Sequence, residues 1–250
     1  MYIIRELEDA IYDCDTKCTI GQCNDDSAVH ALDEAVAFYY GADDNFIHSL
    51  ANKRCVGFAT CAGDNPVEGD ATVNAKVFQL FGQMQTHLQR GECDAARPLV
   101  NDISTQIWIP IIQGTLRYAW ILDSTNNPGA LLTEKAQGEG AIFAAGVLPI
   151  IHSCDPQAAA TIYDNMKIQS QISVDFPAVK AAFESCYSDI GITCADIGGN
   201  VNNARTGYDA EATRPCDFGA SNRFSASSAS TVAVRSVIGL FFTTAIAMLL

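Results

Sequence analysis

In the segment VHALDEAVAFYYG, His30, Asp33 and Glu34 are spaced i, i+3 and i+4, so a helix would set an imidazole and two carboxylates on one face. Such a face can share a cation. It is equally the face of a solvated helix start, where carboxylates favour the dipole. A second group is Arg117 and Tyr118 in QGTLRYAW, a cation and a phenol within an apolar run. An arginine buried there needs an anion, either an internal carboxylate or a bound oxyanion. Glu139 lies between Gly138 and Gly140, whose missing side chains let a ligand or another backbone approach. Tyr163 and Asp164 add a phenol and a carboxylate. Together these are oxygen donors with one imidazole, a set suited to a hard trivalent cation such as ferric iron. A phenol gains most, because the charge of the metal lowers its pKa. The donors come from separate segments, so their convergence is a matter for the fold.

The chain lacks the P-loop, the G-x-G-x-x-G turn, H-E-x-x-H and G-x-S-x-G, and it is read as a non-enzyme. With four His, a catalytic metal held mainly by imidazole is not expected, which argues against an extracellular enzyme acting on carbon species.

The elements that must position these groups read as helices joined by cystine-rich turns, with hardly any alternating β-branched run. The expected fold is all-α, a disulfide-stabilised helical bundle. Asp26 or Ser27 can cap a helix ending at Gly41, and a short helix is expected from Asn45 to Lys53. Cys55 to Gly69 reads as a loop in which Cys55 and Cys61 can close a small ring. A helix from Thr72 stops at Gly91, and a long, central one follows from about Asp94 to Asp123 with a kink at Pro110. Thr133 opens a helix whose body, Ala136 to Ile151, is apolar enough to be buried on most faces. Asp155 with Pro156, and Asp175 with Pro177, pair a cap with a first-turn proline and start two more.

Hydrophobic residues make up 48% of the 250 and charged residues 18%, enough for a real core and too apolar for a disordered chain. The net charge of −14 has the wrong sign for a phosphate backbone, so nucleic acid is not an expected partner. Ten cysteines without a C-x-x-C pair suit disulfides in an oxidising compartment rather than zinc. Val237 to Leu250 is uncharged and shorter than the roughly 20 apolar residues of a spanning helix. With small residues at Gly219, Ala220 and Ser221, or at Ser225, Ala226 and Ser227, it reads as a cleaved lipid-anchor signal, with a short transmembrane helix as the rival. The first residues carry Glu6, Glu8 and Asp9 and no apolar leader, so a further N-terminal segment is expected upstream.

Seven blocks carry a family likeness: ALDEAVAFYYG (31 to 41), KRC (53 to 55), IPIIQGTLRYAW (109 to 120), EGAIFAAGVLPIIHSCD (139 to 155), ATIYDNMK (160 to 167), DFPAVKAAFESCY (175 to 187) and GITCADIGG (191 to 199). In this order they resemble the algal iron-assimilating protein family, which includes the high-carbon-dioxide-inducible periplasmic proteins of green algae and the phytotransferrins of diatoms. The resemblance implies a low-iron-inducible protein of the cell surface or periplasmic space that captures ferric iron with carbonate as synergistic anion for endocytic uptake. It carries over Asp33, Glu34, Tyr39, Tyr118, Glu139, Tyr163 and Asp164, which we assign as metal ligands, and Arg117 for the anion. His30 lies outside the matching block and is not assigned. Family members often carry two such units; one is visible here.

The expected organisation is a Cys-rich lead-in over 1–24, an iron-assimilating helical domain over 25–199, a linker over 200–231 and a hydrophobic anchor signal over 232–250. The expected activity is ferric iron binding and uptake outside the cell, with the membrane reached through the tail and the uptake receptor unknown. Carbonate becomes bicarbonate as pH falls and protons compete for the ligands, which offers an acid-driven release. The alternative is a metal-free structural or adhesive surface protein.

Overall fold

The computed structural model describes residues 2–42, 46–126, 134–168, 174–217 and 224. Among them the chain is all-α, as its periodicity implies: α1 (Tyr2–Lys17), α2 (Ser27–Tyr40), α3 (Ile47–Phe58), α4 (Thr72–Gln89), α5 (Cys93–Leu122), α6 (Glu134–Cys154), α7 (Pro156–Met166), α8 (Phe176–Glu184) and α9 (Cys194–Ile197). The described residues contain isolated β-bridges in place of strands.

The long helix α5 is the axis. It packs against α1, α3, α4, α6, α7, α8 and α9, and buries Leu99, Ile103, Ile107, Ile112, Leu116 and Ala119 at helical spacing. It stays helical through Pro98 and Pro110. All ten cysteines are paired, as Cys14–Cys93, Cys18–Cys23, Cys55–Cys61, Cys154–Cys186 and Cys194–Cys216. The Cys55–Cys61 ring is as expected. Asp155 accepts from the Gln157 amide at 2.8 Å and Asp175 from the Ala178 amide at 2.9 Å, each ahead of its proline.

Several expectations change. The N-terminal residues, read as a lead-in, form α1, whose Ile3, Leu7, Ala10, Ile11 and Cys14 enter the same core as the rest. Cys14–Cys93 locks α1 to the start of α5, so no boundary separates it from the helices that follow. Helix α3 continues past Lys53 to Phe58, which puts Cys55 on a helix rather than in a loop and adds Arg54 to the same helix; it stops where Ala59 turns left-handed at φ 56°. The α2 start is capped by neither Asp26 nor Ser27: Asp25 accepts from the Ser27 amide at 2.8 Å. Helix α6 is not buried on most faces. It packs on α5 and α7 along one side and leaves Ile142, Ala145, Gly146 and Pro149 exposed, small residues having made an edge helix look like a core one.

Residues 200–217, expected as linker, fold back as a strap. The Val201 amide donates to the Gly57 carbonyl at 2.9 Å, Val201 bridges Tyr208, and Trp120 Nε1 donates to Asp209 at 2.8 Å. Gly198 makes this possible. Its φ of 67° and its closeness to α3 exclude a side chain, because a Cβ there would stand 2.0 Å from the Phe58 carbonyl oxygen. Among the described residues no helix is long and apolar enough to cross a membrane. Thr133, the small residues proposed for anchor cleavage and the tail 232–250 lie outside the described residues.

Candidate metal centre and the basic pocket beside it

Two of the expected ligands meet where α5 crosses α6. The Tyr118 hydroxyl donates to the Glu139 carboxylate. Gly140 permits the approach: a Cβ on it would lie 3.0 Å from Tyr118 Cβ and 2.8 Å from the Met166 methyl. Gly138 faces open space, so of the two flanking glycines only Gly140 is required for packing. One turn beyond, Phe143 stacks on Tyr118 with centroids 5.9 Å apart and planes 14° from parallel.

The cation over these rings is Arg54 of α3, 5.1 Å from the Phe143 centroid and 5.8 Å from that of Tyr118. Its Nε is buried and has no hydrogen-bond partner. Burial lowers its guanidinium pKa to about 10, helped by the like charge of Arg117 and opposed by Glu139. Arg117, expected to be the buried arginine, is exposed. The helix register turns its side chain outward while Leu116 and Ala119 face the core. Lys135 stands 3.8 Å from Glu139 at the outer rim.

Beyond Arg54 opens a cavity of about 360 Å³ whose charged walls are Lys53, Arg54, Arg117 and Arg205, with Asn202 and Asn203 beside them. Among the described residues that line it none is acidic. A phenolate and a carboxylate side by side can act as a chelating pair for a hard cation. The cavity next to them attracts anions.

The other expected ligands stand elsewhere. Asp33 and Glu34 are exposed on α2, Glu34 being 3.5 Å from His30. Tyr39 points into the core, with 0% exposure, and donates to Asn74 Oδ1 at 2.6 Å. Burial, with a smaller contribution from Tyr40, pushes its phenol pKa well up, so it stays protonated. Asn74 in turn donates to Asn52 Oδ1 and the His48 carbonyl, which makes Tyr39 part of a structural network. Tyr163 is 53% exposed on α7 beneath the Lys167 ammonium, and Asp164 pairs with Lys167 at 2.7 Å. Among the described residues no three His, Cys, Asp or Glu side chains gather to hold a metal ion. Any centre at Tyr118 and Glu139 would therefore draw further oxygens from a bound anion or water.

Arg54, Lys53 and Arg205 were not among the assigned residues. The first two stand in the KRC block, and adjacent cations one turn before a helix end are the visible signal. Arg205 gives none in its own segment. Comparison of the chain with protein-family models, with curated proteins and with solved structures found no match.

Proposed function

We propose that this protein binds ferric iron for uptake at the cell surface, without catalysis, using the Tyr118 phenolate and the Glu139 carboxylate as metal ligands. Arg117, with Arg54 behind it, holds carbonate, which completes the oxygen shell of the ion. The observation that carries this reading is the Tyr118–Glu139 hydrogen bond beside Arg54, which lies over the Tyr118 ring and also walls the cationic cavity. A proton shared between phenol and carboxylate is what a hard cation displaces. The five disulfides support a location in an oxidising compartment. Attachment to the membrane by the C-terminal tail belongs to the same proposal. Asp33, Glu34, Tyr39, Tyr163 and Asp164 are not ligands in this narrower centre.

The test is titration of the purified protein with ferric nitrilotriacetate at about pH 8 and about pH 5.5, with and without bicarbonate. Binding that develops a phenolate-to-iron colour, needs bicarbonate and weakens at the lower pH supports the reading. Colourless protein with no uptake under any of these conditions leaves the metal-free surface protein in its place.

A further inference from the structure

The cavity beside the metal pair is far larger than carbonate requires. At about 360 Å³ it has room for about ten waters, whereas a carbonate fills little more than the space of one or two. Its four cationic walls are unusual for a chain of net charge −14. Arg54 is partly desolvated, is repelled by Arg117 and keeps an unpartnered buried Nε. That repulsion, offset within the chain by Glu139, falls further when an anion joins the two arginines. The wall opposite α3 is also preformed. The strap that carries Arg205 is pinned by the Val201–Gly57 bond and closed by Cys194–Cys216, and Arg205 itself is held at a left-handed φ of 56°.

We infer that this cavity is a binding site for a compact organic polyanion, one carrying two or more carboxylate or phosphate groups. The Arg54, Arg117 and Arg205 forks can each take a planar or tetrahedral oxyanion, and the Asn202 and Asn203 amides can donate to the ligand's remaining oxygens. Groups spread over several ångströms satisfy these walls together, which one small anion cannot do. The site shares Arg117 and Arg54 with the iron reading but uses neither Tyr118 nor Glu139.

Isothermal titration calorimetry of the metal-free protein, at constant ionic strength, with citrate, fructose 1,6-bisphosphate and bicarbonate tests this, the first two separating a polycarboxylate from a phosphate ester. One polyanion should bind at a single site at least about tenfold more tightly than bicarbonate. Arg205→Ala should weaken it about fivefold or more, Arg205→Lys should recover part of the loss, and Arg97→Ala, about 30 Å from Arg117 along α5, should change nothing. Arg205 is exposed on the strap, so these variants keep the fold, which circular dichroism checks. Polyanion affinities no greater than that of bicarbonate, or unaltered by Arg205→Ala, overturn the proposal without bearing on iron. Tyr118→Phe should abolish iron colour while leaving polyanion affinity intact, which keeps the two readings separable.

Discussion

Arg54 lies over the ring of Phe143, 5.1 Å from its centroid, and also walls the basic cavity. One guanidinium therefore joins the phenol–carboxylate pair to the anion pocket. A half-buried cation whose Nε is buried without a partner is poorly placed for stability. Arg54→Met, of similar volume, should melt no lower than the parent and gain up to about 1 kcal/mol. It should at the same time lose most anion affinity. Thermal melts and calorimetry on one preparation check both; a large loss of stability would mean that Arg54 is held by bonds its surroundings do not suggest.

Tyr118→Phe keeps the stack on Phe143 and removes only the hydroxyl, so stability should stay within about 1 kcal/mol while the iron-dependent absorption disappears. Glu139→Gln should retain some colour and weaken iron by about tenfold or more, because a neutral amide is a poor ligand for a hard ion. Visible absorption during iron titration distinguishes the two variants.

Tyr39 and Tyr187 are both buried phenols whose pKa values burial raises, with Tyr40 and Glu184 adding to the effect. The folded state then keeps protons that the unfolded state releases above the ordinary tyrosine value of about 10. Their contribution is complete below that value and declines as pH rises past it. Urea midpoints should fall between about pH 9 and about pH 11, and less steeply in Tyr39→Phe. That variant also strands Asn74 Oδ1, so its stability near neutral pH should be lower by about 1 to 3 kcal/mol, with iron binding unchanged.

What the sequence made legible here depended on how local the signal was. Helices α7 and α8 were readable because Asp155–Pro156 and Asp175–Pro177 act through their own backbones. Helix α1 has an equally regular apolar stripe, but acidic residues at the start of a chain are equally what a segment without a leader shows. Tyr118 and Glu139 could be named by type, yet their meeting depends on Gly140 and on how α5 crosses α6. Tyr39 shows the converse. A phenol in a helix carries no mark of whether it faces a cation or the amide of Asn74. The exchange of roles between Arg117 and Arg54 turned on helix register and on α3 running past Lys53.

The Cys14–Cys93 bond spans 79 residues and Cys55–Cys61 only 6. By loop-closure entropy the first should contribute about 4 to 5 kcal/mol and the second about 2 kcal/mol. Paired serine substitutions, compared by chemical denaturation, should show that order. The reverse order would place the main stabilisation of these bonds in the folded state instead of the unfolded chain.

Gly198→Ala should cost at least about 2 kcal/mol, since it combines an unfavourable φ with a collision against the Phe58 carbonyl. Melting curves read it directly, and a neutral result would mean that the strap can lift without loss.

The Cys194–Cys216 bond encloses the strap as far as Pro215. A pull applied to the chain after Cys216 passes through the sulfur atoms to Cys194 and bypasses residues 195–215. Arg205 and its neighbours thus form a mechanically shielded loop, and tension applied beyond Cys216 would leave the cavity's outer wall unloaded.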